Sequence, residues 1–247
     1  TFSTQKGEGW NVKSSGKEGR DKRGEDERQK SLEDSRLERA QVVYIGAQKC
    51  FVTLYRDLIK GFNSPLLAYV SPQILELGRS AKIVVGDDVL VLPMQDAYKV
   101  TKMLPRRNLF VRSDPEGRPR ALASNLDQLI VCTSFGSPAF SSLVLDRVLV
   151  AALASAIHPI IVLNKVDLAD AKLLQVVTDT YQTVGFTVCH TSASPEEGSA
   201  TGIENLRSLL HAKTSALYGL SGAGKSSLLN ALSHFDIKTR SVSEALG

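Results

Sequence analysis

Beyond residue 124, apolar positions follow two alternating patterns. Short apolar runs, typical of buried strands, alternate with longer segments in which apolar residues recur every three or four positions, as in helices. The runs predicted as strands are 129–133, 160–163, 186–190 and 216–218. The segments predicted as helices are 141–157, 170–184, 203–213 and a segment from residue 226. This alternation predicts an α/β domain with a mostly parallel sheet and helices on both faces.

Residues 41–112 show a different pattern, with short apolar runs separated by turn residues. The predicted strands are 42–45, 50–54, 65–70, 82–85, 89–92 and 109–111. Strands at this spacing predict a small all-β barrel, and Gly86-Asp87-Asp88 has the composition of a hairpin turn. Residues 113–124 are predicted to be a linker, and 125–247 the α/β domain.

Residues 1–40 contain ten Lys or Arg, nine Asp or Glu and five glycines, with few apolar residues. Such a segment cannot bury enough apolar surface to offset the entropy of ordering the chain. We therefore predict a disordered, charged N-terminal extension.

The composition of the 247-residue chain, 43% hydrophobic and 23% charged, is that of a globular protein. No apolar run approaches the length of a membrane span. Cys50, Cys132 and Cys189 lie far apart and are predicted to be small buried hydrophobes rather than ligands or disulfides. The histidines show no metal-ligand spacing, so no metal is expected beyond Mg²⁺ carried by a nucleotide.

The net charge of +4 is unevenly distributed along the chain. Residues 41–124 carry twelve Lys or Arg against seven Asp or Glu, a net of +5, whereas 125–247 carry eight against ten, a net of −2. Seven of the basic residues lie within 22 positions: Lys99, Lys102, Arg106, Arg107, Arg112, Arg118 and Arg120. This strip is either a solvated loop face or, beside a barrel carrying Tyr44, Phe51, Tyr69 and Tyr98, a nucleic-acid-binding surface. Arg106, Arg107 and Arg112 are the candidate RNA-binding residues.

The residues after the strand at 216–218 have the spacing of a phosphate-binding loop. Gly219, four residues and then Gly224-Lys225-Ser226 match G-x-x-x-x-G-K-[ST] ahead of a predicted helix. Glycines let successive backbone N–H groups turn toward phosphate oxygens, and the helix N-terminus adds positive charge. Lys225 would neutralise the β- and γ-phosphates and Ser226 would bind Mg²⁺. The candidate phosphate-loop residues are Gly219, Leu220, Ser221, Gly222, Ala223, Gly224, Lys225, Ser226 and Ser227. The alternative is a Gly/Ser-rich turn before an ordinary helix.

Two other predicted strands end in residues suited to reading a base. One runs into Asn164-Lys165-Val166-Asp167 and the next into Thr191-Ser192-Ala193. A carboxylate at Asp167 can accept hydrogen bonds from N1–H and the 2-amino group of guanine, a pair that adenine lacks. Asn164 can face O6 and N7 and also tie the loops together, the Lys165 stem can cover the ring, and Ser192-Ala193 can support O6. Because parallel strands end at one edge of the sheet, these loops together predict a guanine-nucleotide site.

These motifs resemble those of guanine-nucleotide-binding proteins, in which the phosphate loop usually comes first. Here Asn164 precedes Gly219 by 55 residues. The permuted order behind a small basic barrel is similar to the circularly permuted GTPases, and most of all to the ribosome small-subunit-dependent GTPase A family. The resemblance covers about residues 41–247 and includes the strings at 86–89, 104–108, 125–128, 145–147 and 243–247.

The resemblance implies an oligonucleotide-binding (OB-type) barrel followed by a permuted GTPase domain that binds GTP or GDP with Mg²⁺. It implies an enzyme that hydrolyses GTP to GDP and phosphate, with Lys225 and Ser226 as catalytic residues. It also implies action in maturation of the small ribosomal subunit, with that subunit and its rRNA as partners. We expect a soluble monomer, without a membrane partner, in a ribosome-containing compartment. The long N-terminal arm favours the plastid stroma or another organelle, and a bacterial-type cytoplasm is the alternative.

In this family the switch threonines, a D-x-x-G string and the zinc ligands follow the phosphate loop, and the sequence reaches Gly247 before them. The D-x-x-G strings at 21–24 and 114–117 precede the predicted sheet and are not expected to act as switches. We therefore expect no zinc site in this chain, weak GTP or GDP binding, and little or no hydrolysis. The alternative function is a non-catalytic RNA-binding module whose second domain senses GTP or GDP. Asn164 and Asp167 argue against a P-loop kinase or ATPase.

Overall fold

The computed structural model describes residues 34–46, 49–59, 65–75, 82–113, 116–192 and 202–232. Within these ranges the chain forms a closed barrel, a two-stranded sheet and a four-stranded sheet. Most of the predicted N-terminal extension, Ala193, the string at 21–24 and the motif at 243–247 lie outside the described residues. No helix in the described ranges is both long enough and apolar enough to cross a membrane.

The barrel has five strands: β1 (Glu38–Ile45), β2 (Lys49–Leu54), β3 (Leu66–Val70), β4 (Asp88–Pro93) and β5 (Tyr98–Met103). They close in the order β1-β2-β3-β5-β4, in which β3 and β5 are parallel and the other pairs antiparallel. Two short helices, α1 (Tyr55–Ile59) and α2 (Pro72–Leu75), follow β2 and β3. Small and β-branched side chains such as Val42, Val52 and Val91 fill the interior. Closure leaves the barrel without unpaired edges.

The barrel is confirmed, but two of the runs predicted as its strands are not barrel strands. Residues 82–85 form no strand, and Val85 makes only an isolated bridge to Ala123. The fifth barrel strand is instead β5, which overlaps the start of the basic strip. Its outward residues include Lys99 and Lys102, and only Val100 is fully buried, so its apolar pattern is weak.

The run predicted at 109–111 belongs to a hairpin outside the barrel. Strand β6 (Leu109–Ser113) pairs with β7 (Pro119–Ser124), so half of the predicted linker is a strand. Phe110 on β6 is buried in the core of the α/β domain, with its ring edge-on to Tyr218 at 5.6 Å between centroids. The hairpin is thereby anchored to the α/β domain.

The α/β domain follows the predicted alternation. Its strands are β8 (Gln128–Ser134), β9 (His158–Asn164), β10 (Thr187–Thr191) and β11 (Ser215–Gly219), all parallel, in the order β10-β9-β8-β11. Helices α3 (Ser142–Ala154) and α4 (Ala171–Thr183) cover one face, and α5 (Ile203–Leu210) and α6 (Lys225–Leu232) cover the other. Successive β8 residues alternate between the two cores, Leu129 and Val131 on one side and Ile130 and Cys132 on the other. The predicted α/β fold with helices on both faces is confirmed, and all three cysteines are buried and unpaired as predicted.

A buried carboxylate joins the barrel to the segment that enters the α/β domain. The Asp87 side chain, 1% exposed, accepts hydrogen bonds from Arg106 Nε (2.6 Å) and Nη2 (2.8 Å). It also accepts from the Val84 N–H (2.8 Å) and the Ser124 hydroxyl (2.6 Å). Gly86, with φ 93°, lies so close to Ser124 that a Cβ would overlap its carbonyl oxygen. The predicted hairpin turn is therefore a joint between two domains.

This joint changes the interpretation of Arg106. Its guanidinium is only 16% exposed, and Nη2 also donates to the Lys82 carbonyl at 2.8 Å. Nε and Nη2 of Arg106 are thus engaged inside the protein, which gives this residue a structural role, and the RNA contact stays a prediction.

The neighbouring residue, Arg107, extends the joint into the sheet. Arg107 Nη1 donates to Asp127 Oδ1 at 3.0 Å, and Nη2 to the Asn125 carbonyl at 2.8 Å. The other carboxylate oxygen of Asp127 accepts from the Thr214 N–H at 2.8 Å, just before β11. The Thr214 N–H and the Arg107 guanidinium lower the pKa of Asp127. Its carboxylate therefore stays ionised while it links β8 to β11.

We expect Asp87→Asn to lower the free energy of unfolding by about 3–5 kcal/mol, because Arg106 loses its carboxylate partner in a buried position. The exposed pair of Arg118 and Glu116 provides a control, since Glu116→Gln should cost less than about 1 kcal/mol. Chemical denaturation of both variants measures the difference. Equal effects of the two substitutions would contradict the structural role of Asp87.

Candidate functional site

The predicted site residues gather at the carboxyl edge of the parallel sheet. Asn164 ends β9, Thr191 ends β10 and Gly219 ends β11. Thr191 lies beside Asn164 in the ladder, and Gly219 lies beside Cys132 of β8. The loops after these strands therefore adjoin one another, although they come from separate parts of the chain.

The phosphate loop depends on glycine at two of its positions. A Cβ on Gly219 would overlap the Cys132 carbonyl oxygen, because β11 and β8 run close together there. Gly224 has φ 89°, and a Cβ on it would overlap Asn164 Nδ2. The loop ends at Lys225, where α6 begins one residue earlier than predicted. The backbone thus takes the tight path that the glycine spacing predicts.

A buried amide holds the loop in place. Asn164, 1% exposed, donates from Nδ2 to the Ala223 carbonyl at 2.9 Å. Its Oδ1 accepts from the Thr191 hydroxyl at 2.9 Å. Lys165, in the left-handed conformation with φ 57°, donates from Nζ to the Gly222 carbonyl (2.7 Å) and the Ser137 carbonyl (2.9 Å). Of the roles considered for Asn164, the structure assigns that of tying the loops together.

Asp167 lies in the short turn that follows β9, with its side chain exposed. Its Oδ1 accepts from the hydroxyl of Ser192 at 2.6 Å, and Ser192 is itself buried. This hydrogen bond fixes the orientation of the carboxylate and leaves its second oxygen facing outward. Ala193, the other residue predicted in that loop, is not among the described residues.

The remaining candidate residues surround the start of α6. Lys225 Nζ donates to the Leu220 carbonyl at 2.7 Å, so the ammonium lies over the loop. Ser226 and Ser227 are half-buried in the first turn of α6, and Leu220 and Ser221 are exposed. Beneath the loop, the Cys132 thiol donates to the Ala223 carbonyl at 3.3 Å. Burial raises the pKa of Cys132 to about 12, so the thiol keeps the proton that it donates.

Sequence reasoning missed three contributors to this site. Thr191 stands without an assigned role in the predicted loop after 186–190, and Cys132 is predicted only as a buried core residue. No role is predicted for the loop after β8, which carries the Ser137 carbonyl. A small cleft between that loop and Gly219 is lined by Ser134, Pro138, Tyr218 and Ala223, among others. The loop has the sequence Ser-Phe-Gly-Ser-Pro and follows a buried strand. This sequence predicts a turn, but it does not predict that the turn contacts Lys165.

The arrangement of charge at this edge matches a nucleotide. Lys225, Lys165 and the N-terminus of α6 place positive charge around the phosphate loop, which suits phosphate groups. Asp167 places an acceptor at the other end, which suits N–H groups of a base. At Gly219 and Gly224 the loop has no room for a Cβ, so the chain can bend tightly there. Together with the placement of the charges, this tight loop fits a bound nucleoside phosphate.

The fold and site together define a class of protein. A closed five-stranded barrel precedes a parallel sheet in which the Asn-Lys-x-Asp strand comes before the phosphate-loop strand. This is the arrangement of circularly permuted P-loop GTPases.

Comparison with known proteins identifies the family. The family model described as RsgA GTPase matches residues 103–247. The chain is similar to the small ribosomal subunit biogenesis GTPase RsgA of Paraburkholderia xenovorans, with 37% identity over 179 residues, 70% of this chain and 55% of the relative. The protein of the same name from Porphyromonas gingivalis is 35% identical over 173 residues, 66% of this chain and 53% of the relative. The chain belongs to the RsgA GTPase family, and it spans about half the length of the curated relatives that it matches.

Solved structures agree with this assignment. YjeQ from Thermotoga maritima superposes with a TM-score of 0.63 and 29% identity, over 79% of this chain and 65% of that one. YloQ, a circularly permuted GTPase, superposes with a TM-score of 0.59 and 26% identity, over 80% and 65%.

We expect Gly224→Ala to weaken nucleotide binding at least tenfold, because the added Cβ overlaps Asn164 Nδ2 and displaces the amide from Ala223. Gly185→Ala is the matched control, since Gly185 also has positive φ (93°) but a Cβ there meets nothing within 4 Å. Titration with a fluorescent guanine nucleotide compares the two. If Gly224→Ala binds as well as Gly185→Ala, the close packing of the loop on Asn164 is not needed for binding.

Proposed function

We propose that this protein binds GTP and GDP with Mg²⁺ and, as part of the complete protein, hydrolyses GTP to GDP and phosphate. Its partner is the small ribosomal subunit during maturation, and its compartment is one that holds such subunits. The observation that carries the proposal is the contact of Asn164 with Ala223. It joins a loop suited to reading a base to a loop suited to holding phosphates, across 59 residues of sequence.

Each residue of the site has a distinct part in this proposal. Backbone N–H groups of the phosphate loop and the Lys225 ammonium hold the β- and γ-phosphates. Ser226, at the start of α6, supplies its hydroxyl to Mg²⁺, which when bound neutralises charge on the phosphate oxygens. The Lys165 stem covers one face of the base, and its ammonium remains on the loop carbonyls.

Base choice rests on Asp167. The exposed Asp167 carboxylate accepts the N1–H and 2-amino hydrogens of guanine, and the hydrogen bond from the Ser192 hydroxyl to Oδ1 keeps the carboxylate aligned. A base lacking these donors leaves a carboxylate partly desolvated and unpaired, which is a large penalty. The Ala193 N–H remains the proposed donor to O6.

The RNA contact is proposed for the β6–β7 hairpin and Arg107. Arg112 of β6 and Arg120 of β7 are direct partners in the ladder, and both are exposed. Like charges directly opposite each other on a sheet repel, so an anion between them stabilises the hairpin. Phosphates of rRNA fit this requirement. Arg107 adds a third exposed cation at the base of the hairpin.

The second candidate, an RNA-binding module that senses GTP or GDP without turnover, shares all of these contacts. Release of phosphate from GTP by the full-length protein, above the level of its Lys225→Ala variant, distinguishes the two.

We expect the protein to prefer guanine over adenine nucleotides, and Asp167→Asn to shift the preference toward xanthine, whose 2-oxo group needs a donor. The affinity for GTP should fall at least about a hundredfold. Competition of GTP, ATP and XTP against a fluorescent nucleotide measures this.

The control for base choice is Asp170→Asn. Asp170 caps α4 by accepting from the Leu173 N–H at 3.0 Å and lies three residues from Asp167. This variant should keep the preference for guanine. Equal affinity of the unmodified protein for ATP and GTP would rule out the proposed guanine site.

We expect the double variant Arg112→Gln/Arg120→Gln to weaken binding to isolated small ribosomal subunits and to reduce the salt slope by about 1.5, because two phosphate contacts are lost. Nucleotide binding should not change. Lys172→Gln, an exposed cation on α4, is the control and should leave both quantities unaltered. An unchanged salt slope in the double variant would show that the hairpin is a solvated face.

A further inference from the structure

Three backbone carbonyl groups of the phosphate loop accept hydrogen bonds from side chains. Lys225 Nζ donates to the Leu220 carbonyl and Lys165 Nζ to the Gly222 carbonyl, each at 2.7 Å. The third is the carbonyl of Ala223, which accepts two hydrogen bonds. A loop that binds an anion through its backbone turns its N–H groups toward the anion and its carbonyl groups away from it. These side chains therefore hold the loop in a form that suits phosphate.

The Ala223 carbonyl accepts as many hydrogen bonds as its two lone pairs allow. Asn164 Nδ2 donates to it at 2.9 Å and the Cys132 thiol donates at 3.3 Å. Ala223 is 1% exposed, so water cannot readily replace either donor. Removal of one donor leaves a buried acceptor only partly satisfied, which costs free energy. Both side chains therefore stabilise the present direction of this carbonyl.

Cys132 is fixed in the sheet beside the start of the loop. It belongs to β8, which has β9 on one side and β11 on the other, and it is 2% exposed. Gly219, the first residue of the loop, is its partner in the ladder, and a Cβ added to Gly219 would lie 3.3 Å from the Cβ of Cys132. The residue thus contacts the loop where it leaves β11 and again at Ala223. Because β8 is an interior strand, the thiol is a fixed point for orienting the Ala223 carbonyl.

The thiol is protonated, as a donor must be. Burial raises the pKa of Cys132 to about 12, and the nearby ammonium groups of Lys225 and Lys165 offset this only in part. A thiolate at this position would repel both the carbonyl oxygen and a bound phosphate. The neutral thiol avoids this repulsion and keeps its hydrogen bond to Ala223.

The direction of the Ala223 carbonyl also sets the direction of the next N–H group. In a planar trans peptide, the C=O of one residue and the N–H of the following residue point in opposite directions. The Ala223 carbonyl points toward Cys132 and Asn164, which lie on the strands beneath the loop. The N–H of Gly224 therefore points away from the sheet. Gly224 directly precedes α6, where the positive end of the helix also favours an anion.

We propose that Cys132 is a positioning residue for phosphate binding, whose thiol holds the Ala223 carbonyl so that the Gly224 N–H faces a phosphate of the bound nucleotide. This inference rests on the proposed function, because it requires a nucleotide on the phosphate loop. It goes beyond that function by giving a role to a residue outside the nucleotide-binding motifs. Asn164 shares the same carbonyl, so loss of the thiol should weaken binding without abolishing it.

The test measures binding of a fluorescent GDP analogue to the full-length protein. Cys132→Ala removes the donor and should weaken binding about fivefold, within the range for loss of one hydrogen bond. Cys132→Ser keeps a donor and should bind within about twofold of the unmodified protein. Cys189→Ala is the matched control, because Cys189 is 1% exposed in the same core cluster, but its Sγ accepts from Asn205 and does not contact the loop. This control should bind as the unmodified protein does.

A second measurement separates positioning of the phosphate loop from general loosening of the site. Competition with GDP and with inosine diphosphate, whose base lacks the 2-amino group, measures how well the base is read. Asp167 reads the base from a different loop, so the ratio of the two affinities should stay within about twofold in Cys132→Ala. Chemical denaturation checks that the variants are folded. Cys132→Val, which fills the space of the thiol without a donor, replaces Cys132→Ala if that variant is not folded.

The inference is overturned if Cys132→Ala binds GDP as tightly as Cys189→Ala, or if Cys132→Ser binds as weakly as Cys132→Ala. It is also overturned if the ratio of GDP to inosine diphosphate affinity falls together with the affinity for GDP, which would indicate a loosened site. Each of these results leaves the proposed function standing, provided that the unmodified protein prefers guanine. Equal affinity of the unmodified protein for ATP and GTP defeats the proposed guanine site, whereas the comparison of the cysteine variants still tests the role of Cys132.

Discussion

The site depends on one buried contact, the hydrogen bond from the Asn164 amide to the Ala223 carbonyl. Strands β9 and β11 are not neighbours, because β8 lies between them in the sheet. The phosphate loop must therefore fold over the end of β8 to reach Asn164. Gly219 lets it pass the Cys132 carbonyl, and Gly224 lets it approach the amide. Because Asn164 is also held by Thr191, the three loops have one common support.

This support explains why the permuted chain order does not disturb the site. The contacts are set by the order of strands in the sheet, and that order brings together the ends of β9, β10 and β11 regardless of which is reached first along the chain. The separation of Asn164 and Ala223 in sequence affects the entropy of closing the chain segment between them. It does not affect the arrangement of the loops at the carboxyl edge of the sheet.

Buried Asp87 connects the two domains by hydrogen bonds, as Asn164 connects the loops of the site. A buried carboxylate with four hydrogen bonds has its charge well compensated, whereas either partner alone would carry a large desolvation penalty. The barrel and the α/β domain are thereby fixed to each other through Arg106 and Ser124. Arg112 and Arg120 on the hairpin take no part in this joint and are exposed.

The sequence by itself determined the parallel sheet, its helices and the motif residues at its edge, because buried strands and phosphate loops are encoded by adjacent residues. It also indicated a barrel but misplaced its fifth strand, since Lys99 and Lys102 on β5 mask the period-two pattern of a strand whose other face is buried. Only the tertiary structure decided which cations are available: Arg106 meets Asp87 across 19 residues, and no local pattern encodes that pairing. The same holds for Thr191 and Cys132, whose roles come from neighbours supplied by other strands.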